Sequence, residues 1–350
     1  MAPSAAAASA ADRGRLVQLV FGLMAGEVVG TAARLGLADL IGDAECIDAE
    51  LAEVSGTDPG ALARLLRAMA ALELLVETRP GRFRLAGAGG LLRTDRRDSM
   101  HDFVRMFSEP AMLASWRELD DAMRTGRTVF DEVFGIDFFA YLAADPALSE
   151  RFNAAMRQGT QLTARLLPTH YEFARFHTVA DIGGGDGILI AGVLREHPTL
   201  RGVLFDTAKG LAQADRTLAA AGTADRCRTE IGDFFTAVPE GADLYLLKSV
   251  VHDWDDERAG AILENCRQVI PDHGQLLIIE PVLPEVVNGS IPPTMYLSDL
   301  NMLVNIGGRE RTRADFEDLC HRSGFTLTGI TPLPPPAAFS LIEAVPTWTE

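Results

Sequence analysis

The sequence predicts an α/β protein, a parallel sheet covered by helices on both faces, with a helical domain of winged-helix pattern in front of it. Three observations carry this. From residue 177 the short apolar runs TVADI, RGVLFD, DLYLLKS and GQLLIIE alternate with helical segments, as strands of a parallel sheet buried on both faces do. The N-terminal part shows helical periodicity and one Pro-Gly turn instead. A chain of 350 residues exceeds what one hydrophobic core usually holds, so two domains are expected.

In chain order, residues 1–12, MAPSAAAASAAD, lack a basic start and an apolar centre, and read as a disordered tail rather than a signal peptide. Residues 13–100 form the helical domain. Within it, TDPGALARLLRAMAALELL opens with Thr57 or Asp58 as cap and Pro59 in the first turn. Leu62, Leu65, Leu66 and Met69 then recur at helical spacing. VETRPGRFRL turns at Pro80-Gly81 between two short strands, giving a two-stranded wing. A winged helix can read DNA, yet the helix that would do so offers only Arg64 and Arg67. A packing or dimerisation module is expected.

Residues 101–170 read as a helical connector, helical throughout from 109 to 166. Phe152, Ala155, Met156 and Leu162 mark one stripe of its last helix, a pattern commoner in a core than in a pocket. Residues 171–350 hold the sheet. Between its strands, DDERAGAILENCRQVI lines Ala259, Ile262, Leu263, Cys266 and Ile270 along one helical face. FTLTGITPL and AAFSLIEAV close the chain as a hairpin whose last strand is antiparallel.

With 32 basic and 49 acidic residues the chain carries −17, which argues against nucleic acid as a partner. No apolar run approaches the roughly 18 residues of a membrane span, so no membrane partner is expected. Cys46, Cys227, Cys266 and Cys320 lie far apart and form no CxxC, as in a reduced, cytoplasmic protein. No group of His, Asp and Glu has metal-ligand spacing, so no metal is expected. Lys209 and Lys248 are the only lysines in a chain that otherwise writes arginine.

The chemistry gathers where strands end. The first sheet strand runs into ADIGGGDG, with Asp181, Gly183, Gly185 and Gly187 at alternate positions. Glycine there permits a sharp strand-to-helix turn and close approach of a ligand to the backbone. Ile188 occupies the third small position of a dinucleotide fingerprint and no P-loop lysine follows, so a pyrophosphate is not expected. Asp206 ends the next strand, where an acid can accept both ribose hydroxyls. GDFF puts Asp233 and Phe234 after a third, an acid for an exocyclic amine beside a flat apolar face for adenine. Three strand-end acids in series describe an adenosine without phosphates. S-adenosylmethionine fits, and its sulfonium needs a nucleophile held in line with the methyl group rather than a metal.

A second stretch, LLKSVVHDWDDE at residues 246–257, releases a buried strand through Lys248 onto His252. The C-terminal end of a parallel strand is where α/β folds place their chemistry. The plainer role for His252 is to cap the helix that begins near Asp253.

With these motifs in place the chain resembles the class I S-adenosylmethionine-dependent methyltransferases. Within them it is similar to the caffeate and hydroxyindole type of O-methyltransferase and its bacterial natural-product relatives. The resemblance runs from about residue 15 to 345 through DIGGGDG, GDFF, LLKSVVHDWDDE, IIEPVLP and NIGGRERT, in family order. It implies a Rossmann-like seven-stranded methyltransferase sheet behind an N-terminal winged-helix dimerisation domain, and hence a homodimer. It also implies S-adenosylmethionine as cofactor, S-adenosylhomocysteine as product and a small aromatic acceptor. Carried over by residue, Asp181, Gly183, Gly185 and Lys248 lie near the cofactor, Gly183 against its methionine part. Asp206 holds the ribose; Asp233 and Phe234 hold the adenine. His252 is the general base, flanked by Glu280 and Glu310. Met156, Asn301 and Asn305 line the acceptor pocket, within or beside the connector. Two places depart from the family pattern. TAKGL follows Asp206 where leucine-proline is usual, and Asn301 replaces a pocket methionine of some relatives, which makes the acceptor site more polar.

The chemistry implied is base-assisted methyl transfer. A phenol with a pKa of about 10 is a poor nucleophile at neutral pH, and a neutral imidazole that takes its proton accelerates attack typically by about 10²- to 10⁴-fold. A carboxylate on the other ring nitrogen fixes the tautomer and stabilises the imidazolium. The alternative is a cofactor-binding relative with non-methylating chemistry, such as hydroxylation or decarboxylation.

Overall fold

The computed structural model describes residues 9–347. The chain divides into two compact units, with the boundary after Pro110.

The first unit begins with α1 (Ala10–Arg34). Ala10–Asp12, expected in a disordered tail, already form its first turn. Ser9 and Asp12 make a reciprocal capping box, the Ser9 hydroxyl accepting from the Asp12 N–H while the Asp12 carboxylate accepts from the Ser9 N–H. Residues 1–8 of that expected tail lie outside the described residues. Then come α2 (Leu37–Ile41), β1 (Cys46–Ile47), α3 (Asp48–Ser55), α4 (Pro59–Ala71), β2 (Leu75–Arg79), β3 (Arg82–Leu85), α5 (Gly87–Gly90) and α6 (His101–Phe107). Asp58 caps α4 through the Ala61 N–H at 2.8 Å. Leu62, Leu66 and Met69 of α4 pack with Leu37, Leu51, Leu75 and Phe83 in this unit's core. The wing has three strands rather than two, in the order β1-β3-β2. Cys46 and Ile47 pair with Phe83 and Arg82, a strand too short to show a period in the sequence. Along α1, Leu16, Leu19, Val20, Phe21, Leu23 and Met24 are all more than half exposed. By length and composition α1 is apolar enough to cross a membrane, which corrects the expectation that no such run exists.

The second unit opens with α7 (Pro110–Trp116), α8 (Leu119–Thr125), α9 (Phe130–Phe134), α10 (Phe138–Ala144) and α11 (Pro146–His170). The stretch expected to be helical throughout is thus broken. Gly126 and Gly135 end α8 and α9 in the left-handed conformation, and Asp145 restarts the helix by accepting from the Ala147 and Leu148 N–H groups. On α11 the stripe read as core is mostly half-buried. Only Ala155 of it is buried, with Leu148, Thr163, Ala164 and Leu167 closing the helix against its neighbours.

The sheet follows: β4 (Thr178–Ile182), α12 (Ile188–Glu196), β5 (Arg201–Asp206), α13 (Ala214–Ala221), β6 (Cys227–Ile231), β7 (Leu244–Lys248), α14 (Asp256–Val269) and β8 (Gln275–Glu280). After it come β9 (Val282–Leu283), α15 (Pro293–Asn305), β10 (Arg311–Thr312), α16 (Arg313–Arg322), β11 (Phe325–Pro332) and β12 (Ser340–Pro346). Seven strands stand in the order β11-β12-β8-β7-β4-β5-β6, with β12 antiparallel to both β8 and β11 and the rest parallel. Alternate residues of β4 reach opposite cores, Ala180 and Ile182 one and Val179 the other, which is why its sequence is apolar without alternation. From β4 the chain builds outward to β6, then returns to β7 on the other side. The crevice beyond the carboxyl end of β4 is therefore the topological switch point, where open α/β sheets bind ligands.

Candidate active site

Five strand ends, those of β4 to β8, meet this crevice. The glycine loop leaves β4 with Gly183, Gly185 and Gly187 all at positive φ, +70°, +56° and +78°. A side chain on Gly183 would meet Val250, and one on Gly187 would meet Leu204; one on Gly185 would stand in open space. The loop thus packs tightly behind and leaves its front clear at Gly185. The Gly185 N–H donates to Asp206 Oδ2 at 2.8 Å, so the acid at the end of β5 fixes the loop after β4. Asp206 also accepts from the Thr207 N–H at 2.6 Å. Burial holds its carboxyl above the ordinary range, with the Gly185 and Thr207 donors opposing that rise.

Asp181 lies against the glycine loop, where a side chain at Gly184 would collide with its carboxylate. It is buried, one of its carboxylate oxygens has no partner, and burial together with Asp206 pushes its pKa up to about 7. Asp186, also in the loop, pairs with Arg157 of α11. Asp233 is exposed after β6 and closes a local turn by accepting the Phe235 N–H at 2.9 Å, leaving its second oxygen free for another donor. Phe234 beside it begins an aromatic group: Phe235 lies edge-on at 4.9 Å, Trp254 edge-on to Phe235 at 4.8 Å, and Phe139 stacks on Trp254 at 5.4 Å. The Arg258 guanidinium covers the Trp254 ring at 4.1 Å.

Lys248 ends β7. Its ammonium donates to the Thr160 hydroxyl of α11 at 3.0 Å and sits 4.5 Å over the Phe339 ring. Burial pulls its pKa down to about 8, against Glu280 and Asp253, which favour the charged form.

Past Lys248 the backbone bends sharply. Ser249 takes φ +53°, rare for a residue with a side chain, and a single 3-10 turn follows over Val251–Asp253. That turn presents His252. Glu280, fully buried at the end of β8, accepts from the Val250 and Val251 N–H groups, each at 3.0 Å. The imidazole Nδ1 lies 3.2 Å from Glu280 Oε2 and 3.2 Å from Glu310 Oε1. Glu310 also accepts the Ser298 hydroxyl at 3.1 Å. The other nitrogen, Nε2, lies 3.5 Å from Asp253. Burial disfavours the imidazolium, but Glu280 and Glu310 outweigh it and lift the His252 pKa to about 10. Burial beside the other acids pushes Glu280 up to about 7 and Asp253 to about 6. Glu280 and Asp253, crowded with other acids around one imidazole, thus hold their protons to higher pH than either would in water.

His252, Glu280 and Glu310 also bring one ligand atom each within 4.8 Å of one another, a set that in composition suits a metal ion. Their spacing in sequence hid this, because they come from three separate elements. One oxygen of each carboxylate is engaged, that of Glu280 by backbone N–H groups and that of Glu310 by Ser298 and the imidazole, while the second oxygen of each is buried without a hydrogen-bond partner.

On α15, Asn301 is buried and accepts from the Trp116 indole and from Asn305, both at 2.9 Å. The Asn305 carbonyl oxygen is buried without a partner. Met156 is half-buried on α11, one turn before Thr160. The sequence reading did not single out Asp253, Ser298, Thr160 or Trp116. Only Asp253 carried a signal, as the residue next to His252; the others act across the fold.

An O-methyltransferase domain model matches residues 116–326, and an O-methyltransferase dimerisation domain model matches residues 17–95. The chain is 48% identical over 346 residues to the O-demethylpuromycin-O-methyltransferase of Streptomyces alboniger, covering 98% of this chain and 92% of that one. The crystal structure of LaPhzM superposes with a TM-score of 0.89 at 40% identity, over 95% of this chain and 99% of its own. The O-methyltransferase NcsB1 of neocarzinostatin biosynthesis, solved with S-adenosylmethionine and 2-hydroxy-5-methyl naphthoic acid, superposes with a TM-score of 0.78 at 30% identity, over 92% and 95%.

Proposed function

The chain belongs to the O-methyltransferase family, and from that premise we propose that it methylates a phenolic hydroxyl of a small aromatic natural product, with His252 as general base. The observation that carries this is the doubly supported imidazole, Nδ1 at 3.2 Å from each of two buried carboxylates. S-adenosylmethionine supplies the electrophilic methyl group, and the crevice suits it. Open space at Gly185 lets a ligand approach the backbone, Asp206 offers a carboxylate at the ribose position, and Phe234 gives adenine a flat face. Asp181, Gly183, Asp233 and Lys248 complete that set.

With Nδ1 directed at Glu280 and Glu310, Nε2 is the nitrogen that takes the acceptor hydroxyl proton, with Asp253 3.5 Å from it. The two carboxylates stabilise the imidazolium formed as the hydroxyl proton arrives. The same stabilisation means that the ring must first be free of a proton, so the protonation of this cluster governs the rate. Asn301, Asn305 and Met156 line the acceptor side, and the Asn301–Asn305 pair gives it polar groups that a hydroxylated aromatic can use. No resident metal is proposed, because the sulfonium needs a nucleophile in line with its methyl group rather than a Lewis acid. The protein works as a homodimer in a reducing cytoplasm. Support comes from the dimerisation-domain match, the exposed apolar face of α1 and four cysteines that are all unpaired.

The test is mass-spectrometric detection of methyl transfer from labelled S-adenosylmethionine to hydroxylated phenazines and naphthoates, with S-adenosylhomocysteine binding measured in parallel. Cofactor binding without methyl transfer to any oxygen would favour the non-methylating alternative.

A further inference from the structure

We propose that Arg311 is a positioning residue, the clamp that sets where His252 stands. The inference rests on His252 as the base, and the experiment below separates the two.

Arg311 is among the largest side chains buried in the chain, 1% exposed. An arginine is rarely so enclosed unless every donor has a partner, and here the partners converge on one short segment. Nη1 donates to the carbonyl of Val251 at 2.9 Å and Nη2 to that of Trp254 at 3.0 Å. These carbonyls bracket His252. The other edge of the guanidinium grips Asp256 in the first turn of α14, Nε at 3.0 Å and Nη2 at 2.7 Å from the same carboxylate oxygen.

The turn bearing His252 is too short to satisfy its own backbone, so its polar groups are divided between two side chains. Glu280 takes the N–H groups, and Arg311 takes the carbonyls. The strap before Arg311 lies flush on the same turn. The Arg309 N–H donates to the His252 carbonyl at 2.9 Å, and a side chain at Gly308 would collide with that carbonyl. One strap therefore delivers Glu310 to the ring and Arg311 to the backbone that carries the ring. A planar fork with five donors can hold two carbonyls and a carboxylate at once; a lysine ammonium cannot.

The test uses the full chain as Arg311→Lys and Arg311→Met, with His252→Ala to assign the His252 resonance. Imidazole titration is followed by NMR on histidine-labelled protein, and S-adenosylhomocysteine affinity by calorimetry. The ring faces Glu280, Glu310 and Asp253, with Lys248 nearby, so its titration reports its place among them. In both Arg311 variants the His252 resonance should titrate clearly lower than in the wild type, while cofactor affinity stays near the wild-type value. Turnover with 1,4-dihydroxy-2-naphthoic acid as probe should fall by roughly 10²-fold, the scale of a misplaced catalytic group, with KM for the cofactor little changed. An unchanged His252 titration in variants that bind S-adenosylhomocysteine overturns the proposal. Should both variants fail to fold, Asp256→Asn carries the same readouts, since Asp256 is partly exposed and its loss frees one edge of the guanidinium. If His252→Ala retains turnover while the Arg311 variants still shift the titration, the clamp stands and the base assignment fails.

Discussion

Glu280 holds His252 at two places. Its Oε1 lies 3.4 Å from the backbone N–H of His252, and its Oε2 lies 3.2 Å from the ring Nδ1. One carboxylate thus supports both the turn and the imidazole. Glu280→Gln keeps an acceptor for the backbone but removes the charge, and should cost less turnover than His252→Ala. Glu280→Ala leaves the Val250 and Val251 N–H groups buried without a partner, at a cost of about 1–3 kcal/mol each. Thermal unfolding of the two variants checks this: the glutamine protein should melt near the wild type and the alanine protein well below it.

The acids around His252 fix the direction of a pH effect. A base must be neutral, and Glu280 and Glu310 raise the imidazole pKa to about 10. The rate should therefore climb with pH across the neutral and alkaline range. Glu310→Gln removes one of the charges that raise that pKa, so the rising limb should move to lower pH. The pH–rate profiles of wild type and Glu310→Gln with one acceptor decide it; coincident limbs would remove Glu310 from the imidazole's surroundings.

At Asp206 the expected loss is in affinity. Its carboxylate is proposed to take the ribose hydroxyls, and it already pins the glycine loop through Gly185. Asp206→Ala should weaken S-adenosylhomocysteine binding by about 1–3 kcal/mol, the scale for removing a charged acceptor. Calorimetry gives the number directly, and an unchanged dissociation constant would exclude Asp206 from the site.

The strands were legible because burial on both faces makes each of them a continuous apolar run, and the strand-end acids because parallel strands all deliver their ends to one edge. The same logic located His252. What the sequence hid depends on distance along the chain. Arg311 looked like one arginine among many, and its contacts with Val251, Trp254 and Asp256 exist only after α15 and the strap fold back. Cys46 and Ile47 make a strand through a partner nearly forty residues on, Phe83 and Arg82. The apolar stretch of α1 was legible as a helix, but single charges and glycines within it masked how much of its surface is hydrophobic.

That surface carries the last prediction. Leu16, Leu19, Val20, Phe21, Leu23 and Met24 stand more than half exposed on α1 of a single chain, an exposed apolar patch of the kind that marks an interaction site. A membrane and a second copy of the chain are the two ways to cover it. The dimerisation-domain match over residues 17–95 includes most of α1 and favours the second copy. Light scattering of the full chain at micromolar concentration, without detergent, should give about twice 37.7 kDa. Charging the face, as in Leu19→Glu with Leu23→Glu, should shift the population toward monomer, because two buried carboxylates cannot be paired across an apolar interface. A wild-type monomer that gains mass only with detergent or vesicles would assign α1 to a membrane instead.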